Sequence, residues 1–235
     1  MIELVTQSNG DLMQIFNRRL LVAYLAMALS VLAVNPLAKA QDASCNGRDA
    51  CTGNTGTVAS GSCNEASSCR KNHGDIGPSS CIGVESCLEN LGTIDQNSCR
   101  DTAACKFNLK PIAASSCIGS LACFRNKGAP GPSACIGKSA CSENEGVVGA
   151  NSCVESNACF VNMGSVGSGS CSGLFACLAN RGAIGKGSCI GHNACNRNRA
   201  SVGDNSCQGE KACASNALPV GNGECNGDNK CFNRH

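Results

Sequence analysis

The stretch Cys135-Ile-Gly-Lys-Ser-Ala-Cys141-Ser-Glu-Asn144-Glu-Gly-Val-Val148-Gly-Ala-Asn-Ser152 decides how the chain is read, because Cys153 follows it and the pattern begins again. Eighteen residues separate each member of the series Cys45, Cys63, Cys81, Cys99, Cys117, Cys135, Cys153, Cys171, Cys189, Cys207 and Cys225. A second cysteine follows each by six residues: Cys51, Cys69, Cys87, Cys105, Cys123, Cys141, Cys159, Cys177, Cys195, Cys213 and Cys231. All 22 cysteines of the 235-residue chain lie in these two columns. A fixed short period over most of a chain marks units that pack only on their neighbours. Such a unit is too short for two packed helices, and its glycines oppose any helix by about 1 kcal/mol each. One turn of a β-solenoid fits. The expected class is therefore all-β, a single-domain β-solenoid of eleven coils, rod-like and about 50 Å long at ~4.8 Å per coil.

With the first cysteine of each unit as position 1, the other columns divide into walls and corners. Position 10 is Asn in all ten complete units: Asn54, Asn72, Asn90, Asn108, Asn126, Asn144, Asn162, Asn180, Asn198 and Asn216. Stacked at coil spacing, these amides can bond along the column and to turn backbone, a structural Asn ladder. Position 14 is Val or Ile except at Pro130, position 6 is mostly Ala or Ser, and position 18 is mostly Ser. Glycine dominates positions 3, 12 and 15, which predicts three bends per coil.

Two frames compete for which residues face inward. Ile118-Gly119-Ser120-Leu121-Ala122-Cys123 and Val148-Gly149-Ala150-Asn151-Ser152-Cys153 resemble the hexapeptide motif of left-handed β-helix acyltransferases. That resemblance implies positions 2, 8 and 14 in the core and the cysteines outside. However, position 2 includes Arg100 and Gln208, and position 8 includes Arg70 and Lys106. Burying such groups unpaired costs several kcal/mol. The frame adopted puts both cysteines and the position 14 aliphatic inside and leaves positions 2, 4, 5, 8, 9 and 11 free to vary.

Residues six apart on an extended strand lie about 20 Å apart, whereas a disulfide needs Cα atoms within about 4.4–6.8 Å. Closing Cys-x5-Cys thus requires a chain reversal between the two. Pairing equivalent cysteines of adjacent coils is the competitor, but each column has eleven members and one would be left over. Pairing within the coil uses all of them. In this spacing the chain resembles the disulfide-stapled antifreeze solenoids of beetles, which implies an ice-binding alternative. Their Thr-x-Thr array is missing here: beyond residue 40 only Thr52, Thr55, Thr57, Thr93 and Thr102 occur, and no column collects them. A metal-binding cysteine-rich protein is a second alternative, against which the Cys-x2-4-Cys pairs usual for zinc are absent. No Cys-x-x-Cys redox pair occurs either.

No catalytic site, resident metal or cofactor is expected. His73, His192 and His235 are the only histidines and occupy variable columns or the last position, while Glu65, Asp101 and Glu155 break the position 3 glycine pattern in non-adjacent units. Beyond residue 40 there are 16 Lys and Arg (19 less Arg18, Arg19 and Lys39) against 15 Asp and Glu (17 less Glu3 and Asp11), scattered along the chain. A nucleic-acid partner, which needs a concentrated basic face, is not expected. Residues 1–40 read as a signal peptide: Arg18 and Arg19 precede an apolar run from Leu20 to Val34, and Ala38-Lys39-Ala40 offers small residues to a signal peptidase. The run is shorter than the ~20 residues that span a bilayer, so no stable membrane insertion is expected after its removal. Residues 41–235 would form the solenoid, secreted, periplasmic or held at the cell surface, where disulfides persist. The leading function is a non-catalytic structural or surface-interaction protein. Glu224, Lys230 and Arg234 depart from the repeat as a cap would, leaving the N-terminal coil as the place for end-to-end self-association. Lys110-Pro111 and Pro130 mark the least regular stretch.

Overall fold

The computed structural model describes residues 44–235; the expected signal peptide, 1–40, lies outside the described residues. The described part belongs to the unit Asp42–His235, a stack of eighteen-residue coils. Coil 6, Cys135 to Ser152, shows how each is built. From position 3 to position 10 the chain is a run of tight turns, in which Ala140 N–H bonds Gly137 O at 3.2 Å, Ser142 N–H bonds Ser139 O at 3.2 Å, and Asn144 N–H bonds Cys141 O at 3.3 Å. The alternate amides point to the coil before: Ser139 to Ser120 O at 2.9 Å, Cys141 to Ala122 O at 2.7 Å, and Glu143 to Phe124 O at 2.8 Å. From position 5 to position 10 every backbone donor is thus used, even positions closing turns and odd positions joining coils. Ser139 and Glu143, third residues of two of these turns, have φ of 53° and 55°, the positive value that reverses a chain so tightly.

This reversal brings the two cysteines together. All eleven disulfides lie within a coil, with Cα atoms 5.4–5.6 Å apart. The inward frame is the one that placed Cys and Val or Ile inside. Cys63 to Cys213 are fully buried, as are Ala122, Ala140 and Ala158 at position 6, and Ile112 and Val148 are 1% exposed. Position 2 faces outward, with Ile190 38% exposed.

The bends differ from expectation. Positive φ recurs at positions 1, 3, 5, 9 and 17, so every first cysteine is itself left-handed, whereas the glycines of positions 12 and 15 are not. Where these two columns hold glycine, the next coil lies against them. A Cβ on Gly146 would sit 1.9 Å from Gly164 O, and one on Gly149 2.5 Å from Ser168 N.

The expected all-β label needs the same refinement. The stack is solenoid-like, but among the described residues there is no helix and no strand longer than a single bridge. Isolated parallel bridges run up two columns only, position 14 (Val148↔Val166, Val166↔Ile184) and position 2 (Ile118↔Ile136, Ile136↔Val154). Left-handed residues and turns interrupt the backbone before any second consecutive pair can form.

Candidate functional site

The recurring polar side chains are consumed inside the stack. Each Asn of position 10 is inward and, from Asn72 onward, fully buried. Asn162 Nδ2 donates to Asn144 Oδ1 at 2.8 Å and to Gly164 O at 2.6 Å, while its Oδ1 accepts from Asn180 Nδ2 at 2.9 Å. The same two bonds repeat from Asn72 to Asn216. The ladder has one direction, with each coil donating to the one before. Arg234, where an eleventh Asn would stand, ends it by donating Nε to Asn216 Oδ1 at 3.1 Å. Arginine carries donors only, so the ladder cannot continue past it.

The serines of position 18 recur in the sequence with no task legible there. They form a second ladder: Ser170 Oγ donates to Gly185 O at 2.7 Å and accepts from Ser188 N–H at 3.1 Å. Ser44 starts it below the first coil, bonding Ala59 O at 3.1 Å. The signal was the spacing itself, since a hydroxyl can answer both a donor and an acceptor of the coil above.

The cysteines offer no ligands as they stand. Sulfurs of Cys117, Cys123 and Cys135, and of four similar groups, lie within 4.8 Å of one another, yet every cysteine is in a disulfide. Thiolate, not disulfide sulfur, is the metal ligand and nucleophile. The histidines are not brought together: His73 pairs with Thr55 Oγ1 at 2.9 Å, and His192 lies against Phe175 and Asn193. Glu65, Asp101 and Glu155 stay in coils 2, 4 and 7, with Asp101 and Glu155 at φ of 114° and 92°, values that suit the glycines they replace.

The variable chemistry lies along a groove between the side chains of positions 9 and 11, which flank the inward Asn. In coils 2 to 4 it is lined by Lys71, His73, Glu89, Leu91, Phe107 and Leu109, and in coils 5 to 7 by Arg125, Lys127, Glu143, Glu145, Val161 and Met163. Both lysines in these stretches are paired between coils: Lys71 with Glu89 at 3.5 Å and Lys127 with Glu145 at 2.8 Å. The Glu145 carboxylate raises Lys127 above its usual range. Beside the groove Arg125 stacks over Phe124 and Phe107, which meet edge to face at 6.0 Å. Nearer the N-terminus, the amide and hydroxyl of Thr57 both donate to Asp75, holding its carboxyl below the ordinary value.

A family model described as "Domain of unknown function (DUF7640)" matches residues 32–129, 104–186 and 151–235. No curated protein and no solved structure matches the chain.

Proposed function

This chain belongs to the DUF7640 family, and we propose that it is an exported, non-catalytic stack that serves as a structural element or a surface for interaction. One observation carries the reading: both cysteine columns are spent on closing each coil and filling the core, the Asn and Ser ladders on holding coil to coil, and the side chains left at the surface vary from coil to coil. Eleven disulfides fit an oxidising environment, and no helix among the described residues is long and apolar enough to cross a membrane. The disulfides support a secreted, periplasmic or cell-surface location, to which 1–40, as a removable signal, would direct the chain. Parallel coil stacking in two bridge columns supports placing the fold with the β-solenoids. Self-association, on this reading, is left to the N-terminal coil, since Arg234 closes the other end of the ladder with a donor-only group.

The test is to fractionate source cells and examine the natural protein. The mature chain should start at Gln41, lie outside the cytoplasm and show no thiol reactive to maleimide after denaturation. A cytoplasmic protein with free thiols would overturn the proposal. Inhibition of ice recrystallisation by the oxidised protein at about micromolar concentration, a low-affinity regime for a solute, would instead establish the antifreeze-type alternative.

A further inference from the structure

Burial divides the disulfides into two kinds. The cysteines from Cys63 to Cys213 have no accessible surface, whereas Cys45, Cys51 and Cys225 are only partly buried and Cys231 is 7% exposed. Thiol–disulfide exchange begins when a thiolate touches a disulfide sulfur, so access decides where it starts. An external thiol therefore meets this stack at its end coils.

Inside the stack, sulfurs of neighbouring coils are within reach of one another. Cys213 Sγ lies within 4.8 Å of the sulfurs of Cys225 and Cys231, and Cys207 Sγ within 4.8 Å of those of Cys189 and Cys195. Cys207 and Cys213 are bonded to each other, which joins the two groups into one path through three disulfides, Cys225–Cys231, Cys207–Cys213 and Cys189–Cys195. Members of one column stand a coil apart, and a spacing of ~4.8 Å falls inside the ~4.4–6.8 Å that the Cα atoms of a disulfide need. Cys213 can thus bridge to Cys231, and Cys189 to Cys207, at the existing coil spacing. Cys99 and Cys105 are just as deeply buried and belong to no such group among the described residues.

We propose that Cys225–Cys231 is the entry to an exchange path that carries reducing equivalents from an external dithiol into the buried core. One thiolate of the dithiol attacks Cys225 Sγ, forming a mixed disulfide and expelling Cys231 as the thiolate. Cys231 then attacks Cys213: a Cys213–Cys231 bond forms, the Cys207–Cys213 bond breaks, and Cys207 leaves as the thiolate. Cys207 repeats the step on Cys189, forming Cys189–Cys207 and freeing Cys195. The second thiol of the dithiol resolves the mixed disulfide, closing the dithiol to its own disulfide and releasing Cys225. The two electrons and two protons that the dithiol loses appear as the thiols of Cys225 and Cys195. Contact between nucleophile and disulfide makes each inner step intramolecular, which offsets the exclusion of outside reductants.

The experiment follows one thiol placed in the path. Cys225→Ser, in the full oxidised chain, leaves Cys231 free, and Cys105→Ser leaves Cys99 free outside any group. Each chain is held at about pH 8, where a thiol is partly ionised, then acid-quenched, unfolded, alkylated and mapped by non-reducing mass spectrometry. In the first, alkylation should move from Cys231 to Cys207 and Cys195, with Cys213–Cys231 and Cys189–Cys207 links. Only the thiolate attacks, so the move should be about tenfold faster per pH unit and independent of protein concentration. In the second chain the label should stay on Cys99. The wild-type chain, treated with one equivalent of dithiothreitol, guards against a frayed end in the variant. Besides Cys45 and Cys51 at the other end, Cys195 and Cys225 should be labelled before Cys99 and Cys105. Label that stays on Cys231, or that spreads equally in both variants, would overturn the path. So would labelling of Cys99 and Cys105 in the wild type as early as Cys195.

Discussion

Coils 7 to 9 and the stretch from Lys110 to Ala134 share the same disulfides and Asn ladder, and differ on one side of the coil only. In the regular coils Val166 N–H bonds Val147 O, Gly167 N–H bonds Ile184 O, and Ser170 links both a donor and an acceptor of the coil above. In coil 5, Pro130 has no amide, so Ala113 N–H still reaches Pro130 O at 3.3 Å but the return bond is missing and no bridge joins Ile112 to it. Four residues on, Ala134 lacks the hydroxyl that would receive Ser152 N–H and donate to Gly149 O. The turn-rich half, positions 1 to 10, runs through the defect untouched: Cys117–Cys123 closes as elsewhere, and Asn126 bonds both Asn108 and Gly128. The stapled half is thus the invariant spine, and the other half tolerates loss because the spine holds neighbouring coils in register.

The largest predicted effect breaks the comparison by attacking the spine. Asn162→Ala strands the amide of Asn180, the carbonyl of Gly164 and Asn144 Oδ1, and should cost about 3 kcal/mol, seen as a lower denaturant midpoint. Because the ladder is intact through the irregular coils, Asn126→Ala should cost a similar amount. A negligible loss at Asn126 would show that the defect reaches the spine after all.

Repairing the other half sharpens the contrast. We predict that hydrogen exchange is fastest between about Lys106 and Pro132, apart from the two ends, since in a nearest-neighbour array opening localises at the poorest interface. Pro130→Val restores one amide donor and a position 14 aliphatic, and Ala134→Ser restores the hydroxyl link; each should add about 1 kcal/mol and slow exchange locally. Uniform protection of the wild-type stack would refute the idea.

A comparable gain is expected inside the spine. The hydroxyls of Ser68 and Ser86 are buried at position 6 without partners, where coils 4 to 10 carry Ala. Ser86→Ala should stabilise by up to about 1 kcal/mol, and a destabilised variant in thermal melts would contradict this account of the site.

The smallest effect is acid sensitivity. Asp75 sits below its ordinary 3.8 because Thr57 donates to the ionised carboxylate. A lowered folded value means stabilisation that is fully present above about the ordinary carboxylate value and lost as pH falls through the folded one. Asp75→Asn should therefore shrink the fall in denaturant midpoint below pH 3.8; an unchanged acid limb would place the dependence on other carboxylates.

The sequence by itself determined the coil length, the disulfide partners, the inward face and the Asn ladder. Each rests on a column that repeats with the coil, and a stack of equal coils turns sequence period directly into spatial alignment. The irregular stretch was legible for the same reason, as a break in a column at Pro130. Tertiary structure decided what depends on contact across coils rather than on period. The glycines of positions 12 and 15 read as bends, yet they answer to backbone pressing from the next coil; Ser recurs at position 18 with no task legible in the period, yet it joins two coils. Such contacts leave no mark inside one unit, because they depend on which backbone groups the next coil presses against it.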